Sequence, residues 1–494
     1  MARNKVNKIF ISLPLVWAVL CLIAAFGGYP FIYIVSFCFF CYFALFLAVK
    51  YAVWLLLPRR LKKTLKKHKM AFNLIIFGGL ILLFLGHQAF NALLGSFRAG
   101  DDVSNTTPSL DNLGTLPYLD WVPAKSSIEK IGVTKYDPNL IYPGLNLYSE
   151  FSLPQAHLLD MSGKILHTWQ LDTYTRRFQK NPIWPLVEMG KNGDLLALSV
   201  DTMLVRLDWE SRVRWKTQFR AHHDFCQAQN DDIYALGRED GIVFIKGIAV
   251  PILEDYVMVL SPEGQIKNRF SITKIFKDEI RRAKITKIYK RLLNPRELAF
   301  ILWRKINGYY LFEENSAFDV FHANSIKLMK SDIDKLCRKG DYLLSLRNRN
   351  WLVILDHQDQ KVLWRWGPGE IQRQHHATHL DLGNIQIFDN GPRRRYSRII
   401  ELDLLDKKIV WEYHAESKED FFSSNRGSCQ RLPNGNTLIT DSGKGRVFEV
   451  TPGGDKVWEY YNPYIRESTG TRRSIYRMMR IADPENYPSL RRFR

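Results

Sequence analysis

Six similar stretches decide the fold of this 494-residue chain. In each, an apolar strand ends in an acidic or turn residue, a polar or glycine turn follows, and a second strand closes near an aromatic residue. The stretches are LLDMSGKILHTWQL (158–171), LVRLDWESRVRWKTQ (204–218), VMVLSPEGQIKNRF (257–270), LVILDHQDQKVLWRW (352–366), IIELDLLDKKIVWEY (399–413) and VFEVTPGGDKVWEY (447–460). A unit that recurs at a nearly fixed period is typical of repeat architectures.

The spacing of the closing aromatic residues gives the length of the repeat. They are Trp169, Trp215, Phe270, Trp364, Trp411 and Trp458, at steps of 46, 55, 94, 47 and 47 residues. A second turn-and-strand piece recurs between these hairpins, as in NGDLLALS (192–199) and NGNTLITD (434–441). Two hairpins per period make a four-stranded blade, so we predict an all-β, six-bladed β-propeller over residues 136–464. An open sandwich array would leave edge strands unpaired at both ends.

The step of 94 residues indicates one blade plus an insertion at about 271–318. This segment has apolar residues at helical spacing, and residues 266–314 carry thirteen Lys and Arg against five acids. We expect helices here. The insertion can lie on an anionic membrane surface, cover the mouth of the propeller, or pack on its outside.

The first fifth of the chain reads as a membrane anchor. Three mostly apolar runs, about 9–27, 31–57 and 71–93, are long enough to cross a bilayer as helices. Basic clusters precede the first run and separate the second from the third, which places both clusters in the cytoplasm. We therefore expect residues 1–98 to be a three-helix anchor, 99–135 a linker and 465–494 a basic tail. The bulk of the chain would then lie beyond the membrane, in the periplasm or outside the cell.

The charge distribution argues against a nucleic-acid partner. The chain has a net charge of +20, but residues 1–100 contribute twelve Lys and Arg and no acid. This basic block adjoins the apolar runs and does not form the face of a soluble domain, so a lipid bilayer is the expected partner. In the exported part, Cys226, Cys337 and Cys429 allow one disulfide and an odd thiol, or three isolated buried thiols.

Histidines collect where blades begin. AHHDF contains His222 and His223, DVFHANSI contains His322, and RQHHATHLDLGN contains His375, His376 and His379. Because the inner strands of a propeller line one central channel, residues at equivalent points of different blades converge on its axis. Arg347, in the strand YLLSLRN, is expected to add a fixed positive charge near the same axis.

These motifs resemble the bacterial arylsulfate sulfotransferase family, which moves sulfate between phenols without a nucleotide donor. The resemblance covers about 150–465 and rests on HHD (222–224), FHANSI (321–326), LSLRN (344–348), QHHA (374–377) with GNIQIFDNG (383–391), and GSCQRLPNGN (427–436). It implies a six-bladed propeller, an aryl sulfate donor, a phenolic acceptor and a histidine that becomes sulfated. No cofactor or metal is expected.

By motif position, the resemblance places the nucleophile at His375. His223, His322 and Arg347 are the implied supporting catalytic groups, and we assign Asn324, His376 and His379 to substrate binding. Where the family often has Asp after the nucleophile, this chain has His376, and three spans replace a cleaved signal peptide. The oligomeric state is not predicted.

The histidine motifs also allow two other interpretations, a metal site and a binding module without catalysis. A metal would use His375 and His379 with His223 or His322 as imidazole ligands. In a catalytically degenerate relative, the propeller would serve as an exported binding or scaffold module. If residues 374–379 are extended, His375 and His379 share one face and His376 takes the other.

The predicted topology is testable with alkaline phosphatase, which is active only outside the cytoplasm. We expect activity from a fusion made after residue 100 and none from a fusion made after residue 65. Activity from the second fusion and none from the first would contradict the three-span arrangement.

Overall fold

The structure is a computed structural model that describes residues 121–150, 153–171, 183–190, 192–381 and 383–493. The three predicted membrane spans lie outside these residues. Within them, no helix combines the length and the apolar character that crossing a membrane requires. What the structure describes is mostly β, as the repeats predict.

The strands pair almost throughout with their neighbours in sequence. In chain order they are β1 (Trp121–Pro123), β2 (Gly132–Tyr136), β3 (Leu145–Glu150), β4 (Gln155–Leu159), β5 (Ile165–Gln170), β6 (Leu186–Met189), β7 (Leu195–Ser199), β8 (Met203–Leu207), β9 (Val213–Gln218), β10 (Ala221–Gln227), β11 (Ile233–Ile245), β12 (Ile248–Leu260), β13 (Ile266–Ser271), β14 (Ala323–Leu328), β15 (Tyr342–Leu346), β16 (Trp351–Leu355), β17 (Val362–Trp366), β18 (His375–His379), β19 (Ile385–Asp389), β20 (Arg398–Leu402), β21 (Ile409–Tyr413), β22 (Ser428–Arg431), β23 (Thr437–Asp441), β24 (Arg446–Val450), β25 (Lys456–Tyr461), β26 (Ile465–Arg466), β27 (Thr471–Arg473) and β28 (Met478–Ile481). Three helices, α1 (Ile272–Ile275), α2 (Arg282–Leu292) and α3 (Pro295–Ile306), lie in the range predicted for the insertion.

Six antiparallel sheets are built from these strands. In sheet order they are sheet I (β28-β3-β4-β5), sheet II (β6 to β9), sheet III (β10 to β13), sheet IV (β14 to β17), sheet V (β18 to β21) and sheet VI (β22 to β25, with β2 added outside β25). Neighbouring sheets contact one another through their first or second strands, and the series returns to sheet I through β22 and β28. This arrangement is propeller-like, and each sheet matches one of the six sequence repeats.

Strands from both ends of the described chain complete the last and first sheets. Strand β2 comes from the range predicted as a linker, and it pairs with β25 at the outer edge of sheet VI. Strand β28 comes from the range predicted as a basic tail, and it pairs with β3 as the first strand of sheet I. Strands β1, β26 and β27 form a small separate sheet. Segments on either side of the repeats therefore complete the first and last sheets.

The core lies between neighbouring sheets. Sheets IV and V, for example, share a cluster in which Leu343, Ile354 and Trp364 pack with Ile387 and Ile400. The other clusters likewise combine residues of two adjacent sheets. Burial of these side chains supplies the main driving force for stacking one sheet on the next.

The repeated tryptophan also links one sheet to the next through a hydrogen bond. Each of four indole N–H groups on an outer strand donates to a backbone carbonyl in a turn of the following sheet. The pairs are Trp215 to Pro262 (2.8 Å), Trp364 to Leu404 (3.2 Å), Trp411 to Pro452 (2.9 Å) and Trp458 to Met161 (3.0 Å). The last pair joins sheet VI to sheet I. We call these four contacts the tryptophan links.

The three cysteines of the described residues are free thiols and all are buried. Of the two arrangements that the sequence leaves open, the structure shows isolated thiols. Burial raises the pKa of Cys226 and of Cys429 to about 12, so neither is a reactive thiolate near pH 7.

The tryptophan link that closes the series should carry measurable stability. Trp458 is fully buried, so Trp458→Ala is expected to lower the free energy of unfolding by about 3–5 kcal/mol. Trp458→Phe keeps most of the packing but loses the N–H donor, and about 1–2 kcal/mol should be lost. Urea denaturation followed by circular dichroism measures both. The exposed Val410, changed to Ala, serves as a control with little effect; an equally small loss for Trp458→Ala would contradict the assignment.

Candidate active site

Three neighbouring sheets present the histidine motifs at the start of their first strands. His222 and His223 lie in β10, His322 directly precedes β14, and β18 begins at His375. The register of all three strands is irregular at this end. The φ angles of His223, His322 and His376 are +58°, +56° and +43°, which is uncommon for residues other than glycine. Such backbone strain costs about 1–3 kcal/mol per residue and clusters at functional sites.

The irregularity in β18 separates its histidines. Because the register shifts between residues 375 and 378, the side-chain alternation expected for an extended strand does not hold there. His375 contacts Asn390 of the same sheet, whereas His376 accepts a hydrogen bond from the backbone N–H of Cys429 in sheet VI at 3.2 Å. The two adjacent histidines therefore have hydrogen-bond partners in different parts of the fold.

The contacts of His375 define its tautomer. Its Nδ1 lies 2.7 Å from Asn390 Oδ1 and 3.0 Å from the backbone carbonyl of Arg373, and both of these partners accept hydrogen bonds. The orientation of Asn390 follows from its Nδ2, which donates to the backbone carbonyls of Ser423 and Arg426 at 2.7 and 2.6 Å. Nδ1 must therefore carry the proton, and the lone pair is on Nε2. His375 is buried, and its Nε2 has no hydrogen-bond partner among the described residues.

His322 is paired with a buried carboxylate. Its Nδ1 lies 2.5 Å from Oδ2 of Asp319, and its Nε2 also lacks a hydrogen-bond partner within the described part of the chain. Burial opposes ionisation of Asp319, but His322 and Arg347 outweigh it and hold the pKa of this carboxyl below its ordinary value. The ionised Asp319 accepts the Nδ1 proton and leaves His322 Nε2 as a hydrogen-bond acceptor.

Arg347 follows β15 and brings the guanidinium against His322. Its Nη2 lies 3.3 Å from His322 Nδ1 and donates to Asn315 Oδ1. Its backbone N–H donates to the carbonyl of His322 at 3.0 Å, which fixes the start of β14 against the end of β15. Arg347 is buried, and its Nε has no partner among the residues described. A donor of the guanidinium is thus available to an anion.

His223 completes the cluster from sheet III. Its ring centroid lies 4.7 Å from that of His322. Its Nδ1 is 3.1 Å from the hydroxyl of Tyr476, and its Nε2 is 3.6 Å from Glu314. Arg238 donates to Glu314 at 2.6 Å. The structure therefore brings His223, His322, Arg347 and His375 into one buried cluster.

All three imidazoles of the cluster favour the neutral form. Burial lowers the pKa of His375 well below its ordinary value, and the positive charge of Arg347 lowers it further. The same two causes lower the pKa of His322 to about 4. Burial also lowers the pKa of His223, although Glu314 acts in the opposite direction. Near pH 7 the cluster thus holds neutral imidazoles beside a guanidinium.

The three residues predicted to bind substrate are placed differently. Asn324 lies beside the cluster and donates from Nδ2 to the backbone carbonyl of Gln374 at 2.8 Å, while its Oδ1 has no partner among the described residues. His376 and His379 instead line a cavity of about 1610 Å³, whose lining contains none of the four cluster residues. His379 accepts a hydrogen bond from the backbone N–H of Lys330 at 2.9 Å.

Several partners of the cluster were not singled out from the sequence. Asp319 and Asn390 lie within the motifs DVFHANSI and GNIQIFDNG, but nothing in these motifs pairs them with a histidine. Glu314 lies at the end of the insertion, and Tyr476 lies in the range predicted as a tail. Only the folded chain brings these four residues to the histidines.

The side chains that lie close enough together to bind a metal ion are not the ones predicted from the sequence. His375 and His379 do not form a ligand group in the structure. In the described ranges, ligand atoms of His223, Glu314 and His322 do lie within 4.8 Å of one another.

The charges around that set oppose a cation. Arg238 already donates to Glu314 at 2.6 Å, and Arg347 lies 3.3 Å from His322. Two guanidinium groups this close would repel a metal ion. Because the site is buried, water and salt screen this repulsion much less than they would at the protein surface. The cluster is better suited to an anionic group such as a sulfuryl oxygen.

Comparisons with known proteins agree with the sequence motifs. Residues 250–463 match the family model Arylsulfotran_2, described as arylsulfotransferase (ASST). No curated protein sequence matches the chain.

Among solved structures, a protein of unknown function from Bacteroides caccae is similar, with 13% identity, a TM-score of 0.41, and coverage of 68% of this chain and 98% of that one. A streptogramin B lyase shows 12% identity, a TM-score of 0.38, and coverage of 70% and 88%. A catalytically inactive virginiamycin B lyase from Staphylococcus aureus with quinupristin shows 10% identity, a TM-score of 0.38, and coverage of 71% and 87%. These likenesses are distant.

The family match includes three of the four residues of the cluster, His322, Arg347 and His375, and it ends with the last strand of sheet VI. Residues 250–463 of this chain thus match the arylsulfotransferase family, the one that its motifs predict.

Proposed function

We propose that this protein is an arylsulfate sulfotransferase that moves a sulfuryl group from an aryl sulfate to a phenol through a sulfated His375. In this proposal the six sheets are the blades of a six-bladed β-propeller. The predicted N-terminal helices hold it at a bacterial inner membrane, with the site on the periplasmic side. The observation that carries the proposal is the Nε2 lone pair of His375, which is buried, unpartnered within the described residues and close to Arg347.

The first half-reaction uses that lone pair. His375 Nε2 attacks the sulfur of the aryl sulfate, an N–S bond forms, and the S–O bond to the aryl group breaks. The phenoxide leaves with the bonding electron pair. Asn390 accepts from Nδ1–H and supports the positive charge that develops on the ring. A neutral imidazole needs no separate base for this step, because its lone pair is already exposed.

The second half-reaction transfers the sulfuryl group to an acceptor. The phenol oxygen attacks sulfur, the N–S bond breaks, and the electron pair returns to His375. His322 Nε2 is an acceptor and can take the phenolic proton, while Asp319 stabilises the imidazolium that results. The overall reaction is ping-pong, with one phenol released before the other is sulfated.

Arg347 and His223 are suited to hold the group in transfer. Sulfuryl transfer resembles phosphoryl transfer, in which a protein mainly positions the groups in line and stabilises the charge on the equatorial oxygens. The guanidinium of Arg347 offers N–H donors to these oxygens. His223, held by Tyr476 and Glu314, faces the same space from the neighbouring sheet.

His375→Ala should abolish both half-reactions, because without the imidazole no covalent intermediate forms. Turnover of p-nitrophenyl sulfate with an acceptor phenol measures the rate, and mass spectrometry of acid-quenched and base-quenched protein measures an acid-labile, base-stable adduct. His357→Ala is the matched control, because it removes a histidine that binds Asp341 outside the cluster. Normal turnover by a folded His375→Ala protein would overturn the mechanism, whereas absence of turnover in the folded wild type would favour a binding module.

Asp319→Asn tests the pairing of His322. An amide at this position can present its N–H₂ to Nδ1, which shifts the proton to Nε2 and removes the acceptor that faces the site. We expect a loss of about 10²–10⁴ in turnover, which is the typical contribution of general acid–base catalysis. The loss should be smaller for acidic phenols, whose proton needs less assistance.

Asp341→Asn makes the same change in a second Asp–His pair outside the cluster, in which the buried carboxylate lies 2.7 Å from the partly exposed His357. Its turnover and its dependence on the acidity of the acceptor should match the wild type. An equal loss in both variants, independent of the acceptor, would mean that Asp319 acts on folding alone.

A further inference from the structure

The helical insertion exposes an apolar face on the outside of the molecule. Helix α2 packs inward through Ile285, Ile288 and Leu292, which are all buried. In helix α3, the only fully buried residue is Ile301. An amphipathic helix normally turns its apolar residues to the core, so the outward side chains of α3 need another explanation.

The outward side of α3 is aromatic and aliphatic. The exposed fractions of Phe300, Leu302, Trp303 and Ile306 are 46%, 49%, 42% and 83%. Phe300, Trp303 and Tyr309 form a row with ring centroids 6.0 and 5.6 Å apart. Exposed apolar side chains that are grouped in this way mark interaction surfaces, whereas scattered ones do not.

A β-hairpin adjoins helix α2 and also exposes apolar side chains. Strands β11 and β12 stay paired out to Ile245 and Ile248, well beyond their pairing with β10 and β13. At the tip, Phe244 and Ile248 are 64% and 49% exposed. The hydroxyl of Tyr289 in α2 donates to the carbonyl of Ala249, which ties the helices to the tip.

The surface is also strongly basic. Residues 281–306 contain nine Lys and Arg and one acid, Glu297, which pairs with Arg291 at 2.5 Å. A second copy of this chain would bring like charges together. A nucleic acid would match the charge but not the exposed Leu302 and Ile306. An anionic bilayer matches both properties, because lysine and arginine bind its headgroups while Trp, Phe and Ile enter the boundary with the acyl chains.

We propose that α2, α3 and the tip of the β11–β12 hairpin form a docking surface for an anionic lipid bilayer. The three alternatives that the sequence leaves for the insertion are thereby reduced to one, because the apolar side of α3 faces away from the sheets. This inference goes beyond the sulfotransferase proposal and does not depend on it, since none of these residues belongs to the histidine cluster.

Trp303 provides the readout. The full-length chain is assembled with nanodiscs of phosphatidylcholine alone, or of phosphatidylcholine with one-quarter phosphatidylglycerol, with and without bromine on the acyl chains. The difference in emission between the wild type and Trp303→Phe isolates this tryptophan from the other twelve. In discs with phosphatidylglycerol, its emission should shift to the blue and be lost when the acyl chains are brominated.

Charge reversal tests the electrostatic part. Lys287 and Lys290 are exposed on α2, and Lys287→Glu with Lys290→Glu should remove the shift that depends on phosphatidylglycerol. The matched control is Lys407→Glu with Lys408→Glu, which reverses two exposed charges on sheet V and should keep the shift.

Two results would overturn the proposal. In the first, Trp303 emission is the same in both kinds of disc and insensitive to bromine. In the second, the emission shifts with protein concentration in both lipids, which means that a second copy of the chain covers the surface. Sulfotransferase activity is not a readout here, so failure of the docking surface and failure of the proposed reaction are distinguished.

Discussion

The tryptophan links are the interaction on which the arrangement of the sheets depends. A hydrophobic interface between two sheets permits small rotations and slips, because apolar contacts have no direction. An indole N–H that must meet one carbonyl in the next sheet removes that freedom. The same contact is repeated at Trp215, Trp364, Trp411 and Trp458, so four of the neighbouring pairs of sheets are fixed in this way. The first strands then meet in a defined geometry, in which the rings of His223 and His322 lie 4.7 Å apart and the charge of Arg347 acts on His375.

The same links explain which parts of the fold were predictable. The period of about 47 residues is visible because each repeat carries an aromatic residue at the same point, and each repeat corresponds to one of the six sheets. Strand β28 was not predicted, because its residues, Met478–Ile481, carry no repeat and lie beyond the last closing tryptophan. Its pairing with β3 depends on where the ring ends, and this is a property of the whole fold.

The candidate site was likewise only partly predictable from the sequence. The positions of His223, His322 and His375 at the starts of inner strands are local, so sequence patterns indicate them. The partners that set their protonation are not local: Tyr476 reaches His223 from 253 positions away in the sequence. The left-handed backbone at His376 was also missed, since a histidine string gives no sign of a register shift. Hydrogen-bond partners and strain depend on tertiary packing, which a single sequence does not display.

The closure of the sheets by β28 has a consequence for biosynthesis. Translation proceeds from the N-terminus, so sheets II to VI can form while sheet I still lacks its first strand. Tyr476, which holds His223, stands just before that strand. The site is therefore incomplete until nearly all of the described chain has left the ribosome. A chain that stops early exposes the unpaired edge of β3, which quality-control proteases and chaperones can recognise, and it leaves His223 without its support.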